Sequence, residues 1–217
     1  MTHARYPISA DTIQLTASGI AVDLRWPAPD QVRIEDIAAQ LAKINRWNGA
    51  TCRPISVAEH SLLVVDIMER DMGITDPSAL LAGLLHDGGE YLSGDVTRPI
   101  KLLIAPTYAA IEIPAQRTVN VALGVRTAAH TYAQHIKVAD DRAMATEYRD
   151  LMPKHELFDQ AIAHIKPIDW VNLNDQTDFD WKDWAMAFEA RHADIAFALQ
   201  LAQQALGAST DHDLVHH

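Results

Sequence analysis

Apolar residues recur at Ile34, Ile37, Leu41 and Ile44, the spacing that puts them on one face of a helix. Val57, Leu62, Val64, Val65 and Met68 make a second such face, and a helix is expected over residues 57–72. Ser56 stands at its start with Glu59 three residues on, the pattern of a capping box. Asp76-Pro77 opens a third helix, residues 78–87, which is apolar nearly all round and therefore expected at the centre of the fold. Further helices are expected over 106–123, with Pro114 weakening its middle, over 128–151, and over 181–206, where Gly207 ends the run. Residues 13–24 alternate around Ser18-Gly19 and read as a small β-hairpin. Residues 45–54, rich in Asn, Gly and Pro, read as a loop, as do 166–179, while 91–101 read as loop or short helix. The fold class is thus all-α. A bundle of six or seven helices carries an N-terminal hairpin (13–25), a core over about 34–152 and a C-terminal helical part (155–207), all in one domain.

Composition narrows the functional classes. The chain has 217 residues, 48% of them hydrophobic, enough for one core of ordinary size. Its net charge is -11, which disfavours a nucleic acid duplex as partner. A small anionic substrate remains compatible, because a bound cation and a few basic groups can reverse the field inside one pocket. The single cysteine, Cys52, allows no intrachain disulfide. The opening residues show no apolar segment of signal-peptide length, and no run approaches the ~20 apolar residues that span a bilayer. A cytoplasmic protein with no membrane association is expected.

The apolar run over 80–85 ends abruptly in His86-Asp87, followed by Gly88-Gly89, Glu90 and, after Gly94, Asp95. Adjacent residues on a regular helix point about 100° apart, so both reach one ion only where the backbone leaves regularity, and the two glycines offer that departure. His60 upstream and Asp140 downstream supply the other half of a site. Imidazole and carboxylate together suit a divalent metal such as Mn, Co, Fe, Ni, Zn or Mg, and four ligands leave room for water and a phosphate oxygen. Glu90 and Asp95 are placed for proton transfer, Arg46 offers a fork that matches phosphate oxygens, and Lys101 is a second cation. Each residue alone also fits a structural role. His60 reads as a helix histidine, Asp140 as a solvated charge, and Arg46-Trp47 as a loop anchor. Joint order and spacing favour the chemical reading.

The words RW, VAEHS, LLHDGGE, SGD, RPIK and VADDR, in this order, resemble the HD-domain 5′-deoxynucleotidases and related phage-borne phosphohydrolases over about residues 34–152. The resemblance implies an HD-domain helical bundle with one metal, releasing phosphate from deoxyribonucleoside 5′-monophosphates and often working as a homodimer. It implies metal ligands at His60, His86, Asp87 and Asp140, with Asp140 rather than Asp141 matching the alanine-aspartate word. It further implies catalytic groups at Glu90 and Asp95, a phosphate contact at Arg46 and a sugar contact at Trp47. The acid and base roles of Glu90 and Asp95 are interchangeable at this level. The alternatives are a deoxynucleoside triphosphate hydrolase, for which Arg53 and Arg98 are extra cations, another HD phosphodiesterase, and a non-catalytic nucleotide-binding module. A two-metal site would need His130 and His135, whose five-residue spacing does not put both on one helix face.

Overall fold

The computed structural model describes residues 10–175 and 178–213. Among them are two short strands and ten α-helices, which bears out the all-α class with a hairpin. The strands are β1 (Ile13–Leu15) and β2 (Ala21–Asp23), antiparallel with Gln14 opposite Val22. The helices are α1 (Ile34–Leu41), α2 (Val57–Arg70), α3 (Pro77–Leu84), α4 (Glu90–Ser93), α5 (Arg98–Ile104), α6 (Ala109–Ala122), α7 (Arg126–Thr131), α8 (Ala133–Leu151), α9 (Glu156–Ile162) and α10 (Trp181–Asp213). None of the described helices is long and apolar enough to cross a membrane.

Helix α2 is the centre. It packs on α3, α8 and α10, and Val57, Ala58, Val64, Val65, Ile67 and Met68 are fully buried. Ser56 caps it by accepting the Glu59 N–H at 3.1 Å. The reciprocal half of the capping box is not made, because the Glu59 carboxylate takes the Arg53 guanidinium at 2.5 and 3.0 Å instead. Asp76 caps α3 by accepting from Ser78 N–H and hydroxyl, with Pro77 in the first turn where its missing N–H costs nothing. Gly83 lets α3 lie against the sulfur of Met68. The hairpin docks onto α1 through buried Asp36, which accepts from Ser18 N–H at 2.6 Å and Ser18 hydroxyl at 2.8 Å.

Four boundaries differ from the expectation. The third helix stops at Leu84 rather than Asp87, since Leu85 already sits at φ -98°, ψ 10°. The helix expected over 128–151 is two helices broken at Tyr132, whose hydroxyl donates to Asp76 at 2.9 Å, a tertiary bond that no local pattern announces. Within the C-terminal part, α9 forms a separate short helix. Helix α10 runs through Gly207 to Asp213 instead of ending there.

The glycines after Asp87 have a different reason from the one expected. Gly89 has helical angles (φ -64°, ψ -20°), and Gly88 is not among the positive-φ residues. What they provide is proximity. A Cβ on Gly89 would stand 2.6 Å from the backbone nitrogen of Gln116 and 2.8 Å from its Cα, and one on Gly88 would meet the Val119 side chain at 2.9 Å. Helix α6 therefore presses directly on the turn. Gln116 clamps both ends of it, accepting the Gly89 N–H at 2.7 Å and donating to the Leu85 carbonyl at 2.8 Å. Gly89→Ala forces backbone against backbone, and overpacking of this kind costs about 1–3 kcal/mol. A lowered denaturation midpoint with unchanged slope is expected. A midpoint equal to that of the parent protein would show that α6 yields.

Candidate metal centre

Three elements deliver the candidate ligands. His60 comes from the first turn of α2, His86 and Asp87 from the α3–α4 turn, and Asp140 from α8. One ligand atom each from His60, His86 and Asp140 lies within 4.8 Å of the others, a group able to hold a metal ion. Asp87 Oδ2 stands 3.2 Å from His86 Nε2 and 3.8 Å from His60 Nε2. Asp140 Oδ1 is 3.2 Å from His60 Nε2. Neither imidazole Nε2 has a hydrogen-bond partner although both are buried, so the nearby carboxylate oxygens are close but badly aligned for a proton between them. His86 Nδ1 lies 2.9 Å from the Gly83 carbonyl, which only accepts, so Nδ1 carries a proton and Nε2 is the atom that could coordinate. Two orphaned imidazole nitrogens beside two carboxylates fit a borderline divalent cation better than an all-oxygen one. Of the aspartate doublet, Asp140 faces the group while Asp141 pairs with Lys137.

The expected substrate-side residues gather around this group. Arg46 lies with its guanidinium 3.8 Å from Asp87 and 3.0 Å from Glu147. Glu90 is buried with Oε2 unpartnered, and Lys101 stands 3.6 Å from its other oxygen while also bonding Glu112. Asp95 follows Gly94, whose φ of 75° makes the sharp exit from α4. Asp95 is near enough to feel Arg46, Asp87, Lys101 and His60 electrostatically. A cleft of about 250 Å³ opens beside them, lined by His86, Asp87, Gly89, Glu90, Glu112, Ile113 and Gln116. A larger cavity of about 340 Å³, walled by Trp170 and Trp184, contains none of the expected residues, and the chemistry favours the smaller cleft. Trp47 donates its indole N–H to Glu147 at 2.7 Å and rests against Phe158, with ring centroids 5.6 Å apart. That is the loop-anchor arrangement. Arg53 is engaged by Glu59 and the Leu173 carbonyl.

Glu147 is the residue that motif reasoning passed over. It lies seven residues after Asp140, hence on the same face of α8, and its side chain is wholly buried. Helical period is the one signal that could have pointed to it.

Burial and charge set the titration of the group. Burial and Arg46 press His60 toward neutrality, but Glu147 and Asp140 prevail and lift it to about 9 in the metal-free protein. Burial pushes Glu90 up to about 9, reinforced by Asp87 and Asp95 and opposed by Lys101 and Arg46. Burial would raise Glu147, yet Arg46 and His60 hold it down at about 2. Asp87 and Asp140 are likewise held well below the carboxylate range, against burial, by His86 and His60. Burial raises Asp95, with Arg46 opposing.

No family model matches the chain. It is 40% identical over 114 residues to an uncharacterized protein of Rhodobacter capsulatus, covering 52% of this chain and 58% of that one. It is 30% identical over 122 residues to the uncharacterized protein YfdR of Escherichia coli, covering 56% and 62%. The chain thus spans less than two thirds of the length of these relatives.

The shifts set a pH dependence. A histidine raised from 6.5 to about 9 contributes stability that is fully present below 6.5 and lost as pH climbs through 9. Glu90, raised from 4.5 to about 9, acts in the same direction, because the folded state keeps a proton that the unfolded chain has released. Chelator-treated protein is therefore expected to lose stability between pH 6.5 and 9, on the order of 3 kcal/mol from His60 alone. Guanidinium midpoints across that range measure it. A flat or rising profile would contradict the assigned environments.

Proposed function

We propose that this protein is a metal-dependent phosphohydrolase of nucleotides, releasing phosphate from deoxyribonucleoside 5′-monophosphates. One observation carries the reading. Two buried imidazole Nε2 atoms with no hydrogen-bond partner converge with the Asp140 carboxylate within 4.8 Å, at the edge of a cleft that also holds Glu90. Unpaired buried polar atoms are costly, and a cation is the partner that this donor set suits. His60, His86, Asp87 and Asp140 would hold it. When bound, a divalent ion supplies Lewis-acid polarisation of a phosphate oxygen and a water of lowered pKa.

The residues of the chain supply the rest. Arg46 is charged at every working pH, since Glu147, Asp87, Asp95 and Asp140 outweigh its burial, and its guanidinium suits two phosphate oxygens. Lys101, held charged by Glu112 and Glu90 against its partial burial, adds a second cation. Glu90 keeps its proton at neutral pH and suits protonation of the departing 5′-oxygen. Asp95 then takes the complementary role, orienting and deprotonating the attacking water. In this reading Glu90 is the acid and Asp95 the base. Arg53 is committed to Glu59, while Arg46 and Lys101 pair with the cleft residues Asp87 and Glu90, a charge set that suits one phosphate. The deoxyribose preference follows from the resemblance rather than from the anchored pose of Trp47, whose indole N–H is committed to Glu147 and so leaves a nearby 2′-hydroxyl no partner, at a cost of about 1–3 kcal/mol.

The test is phosphate release from a panel of deoxy- and ribonucleoside mono- and triphosphates by protein of known metal content. Turnover of deoxyribonucleoside monophosphates is expected, with ribonucleotides poorer by roughly 5- to 160-fold in kcat/KM. Silence across the panel from metal-loaded protein would end the proposal, and equal use of both sugars would remove the role of Trp47.

Two variants separate the parts. His86→Ala is expected to lower bound metal together with turnover. Glu90→Gln is expected to retain the metal and lose about 10²–10⁴-fold in kcat. Elemental analysis beside kinetics checks both, and full activity of Glu90→Gln at saturating substrate would reassign the acid.

A further inference from the structure

The Glu147 carboxylate is fully buried, and three donors from two separate segments converge on it. Oε1 faces His60 Nδ1 at 2.6 Å. Oε2 accepts from Arg46 Nε at 3.0 Å and from Trp47 Nε1 at 2.7 Å. No other buried carboxylate in the described residues joins a candidate metal ligand to a candidate phosphate-binding arm. We propose that Glu147 is a positioning residue that fixes the proton of His60 on Nδ1, so that Nε2 faces the metal position, and at the same time locks the Arg46-Trp47 arm. The inference rests on the metal-site reading above.

The need for such a residue follows from the geometry around Nε2. The negative charges of Asp140, with Oδ1 at 3.2 Å, and Asp87, with Oδ2 at 3.8 Å, favour a proton on Nε2 electrostatically even without an aligned hydrogen bond, and Nε2 is the atom that must stay bare to coordinate. A carboxylate at 2.6 Å on the opposite side of the ring is the group that outcompetes them. The arm needs external support for a different reason. Trp47 and Asn48 both have left-handed backbone angles, φ 57° and φ 51°, which side-chain-bearing residues adopt at a cost. Bonds from Arg46 and Trp47 to one rigid carboxylate on α8 hold the loop in that shape. Since Oε1 serves the ligand and Oε2 serves the arm, metal position and phosphate position are tied to one helix.

Glutamine is nearly isosteric but presents one acceptor and one amide donor. Whichever way it turns, the amide NH₂ meets either His60 Nδ1–H or the Arg46 and Trp47 donors. Glu147→Gln is therefore expected to weaken Zn²⁺ binding by about 10–100-fold, measured by competition with a chromophoric chelator. It should also speed solvent exchange of the Trp47 indole N–H. Unchanged Zn²⁺ affinity with an unchanged indole signal would overturn the proposal. The wild-type protein gives a check that needs no variant. Long-range ¹H–¹⁵N correlation of the His60 ring, in metal-free protein taken to a pH where the ring is neutral, is expected to show the proton on Nδ1. A proton on Nε2 would refute the assignment. That spectrum involves neither metal nor substrate, so its outcome stands apart from the hydrolase reading, which fails if wild-type protein binds no metal.

Discussion

A carboxylate buried among apolar helices persists only if its charge is matched, and in this protein that condition shapes the centre of the molecule. Glu147 is fully buried on α8, which packs against α2, and it bonds His60 of that helix. An isolated ion there would cost several kcal/mol, so the position is stable only with Arg46 and His60 in place. His60 is in turn fully buried and Arg46 largely so, and both depend on the carboxylate. The three residues come from a loop, from the first turn of α2 and from the C-terminal half of α8. Their mutual satisfaction sets how the helices dock and where the loop lies. The same set of bonds aims an imidazole and a guanidinium toward one spot.

Around that spot the backbone is arranged by close approach rather than by special dihedral angles. The turn after α3 carries His86 and Asp87, and α6 lies against it so closely that Gly89 has no room for a side chain. Gln116 then bonds both ends of the turn. Adjacent side chains that would diverge on a regular helix are held at its irregular end, with Asp87 Oδ2 3.2 Å from His86 Nε2. The glycines serve packing, and the packing serves the ligand geometry. Positive φ enters where the chain must turn away sharply, at Gly94 before Asp95 and at Trp47-Asn48 in the arm.

The charge pattern of the site is a consequence of crowding ionisable groups in a low-dielectric interior. Asp87 and Asp140 remain ionised beside the histidines, whereas Glu90, where burial together with Asp87 and Asp95 outweighs Lys101 and Arg46, keeps its proton. Carboxylates in one cluster thereby acquire opposite protonation states.

How much of this was legible in the chain depends on whether the signal is local. Helical period marked α1, α2, α3, α6 and α10, and Ser56 and Asp76 marked two caps, because these depend on residues a few positions apart. The break at Tyr132 was not legible, since it is drawn by Asp76 from 56 residues away. Nor was the stop at Leu84, where apolar sequence continues but α6 shapes the turn. The order of His60, His86 and Asp140 along the chain brought these side chains into view, and the fold brings one ligand atom of each within 4.8 Å of the others. Glu147 was invisible as chemistry. A glutamate in a helix carries no mark that separates a solvated charge from a buried one, and only the docking of α8 on α2 decided which it is. The sequence by itself determined which residues could act and which helices would carry them. Tertiary structure alone decided which nitrogen of His60 meets a carboxylate, which glycine yields to a neighbouring helix and which acid keeps its proton, because those depend on distances between segments remote in the chain.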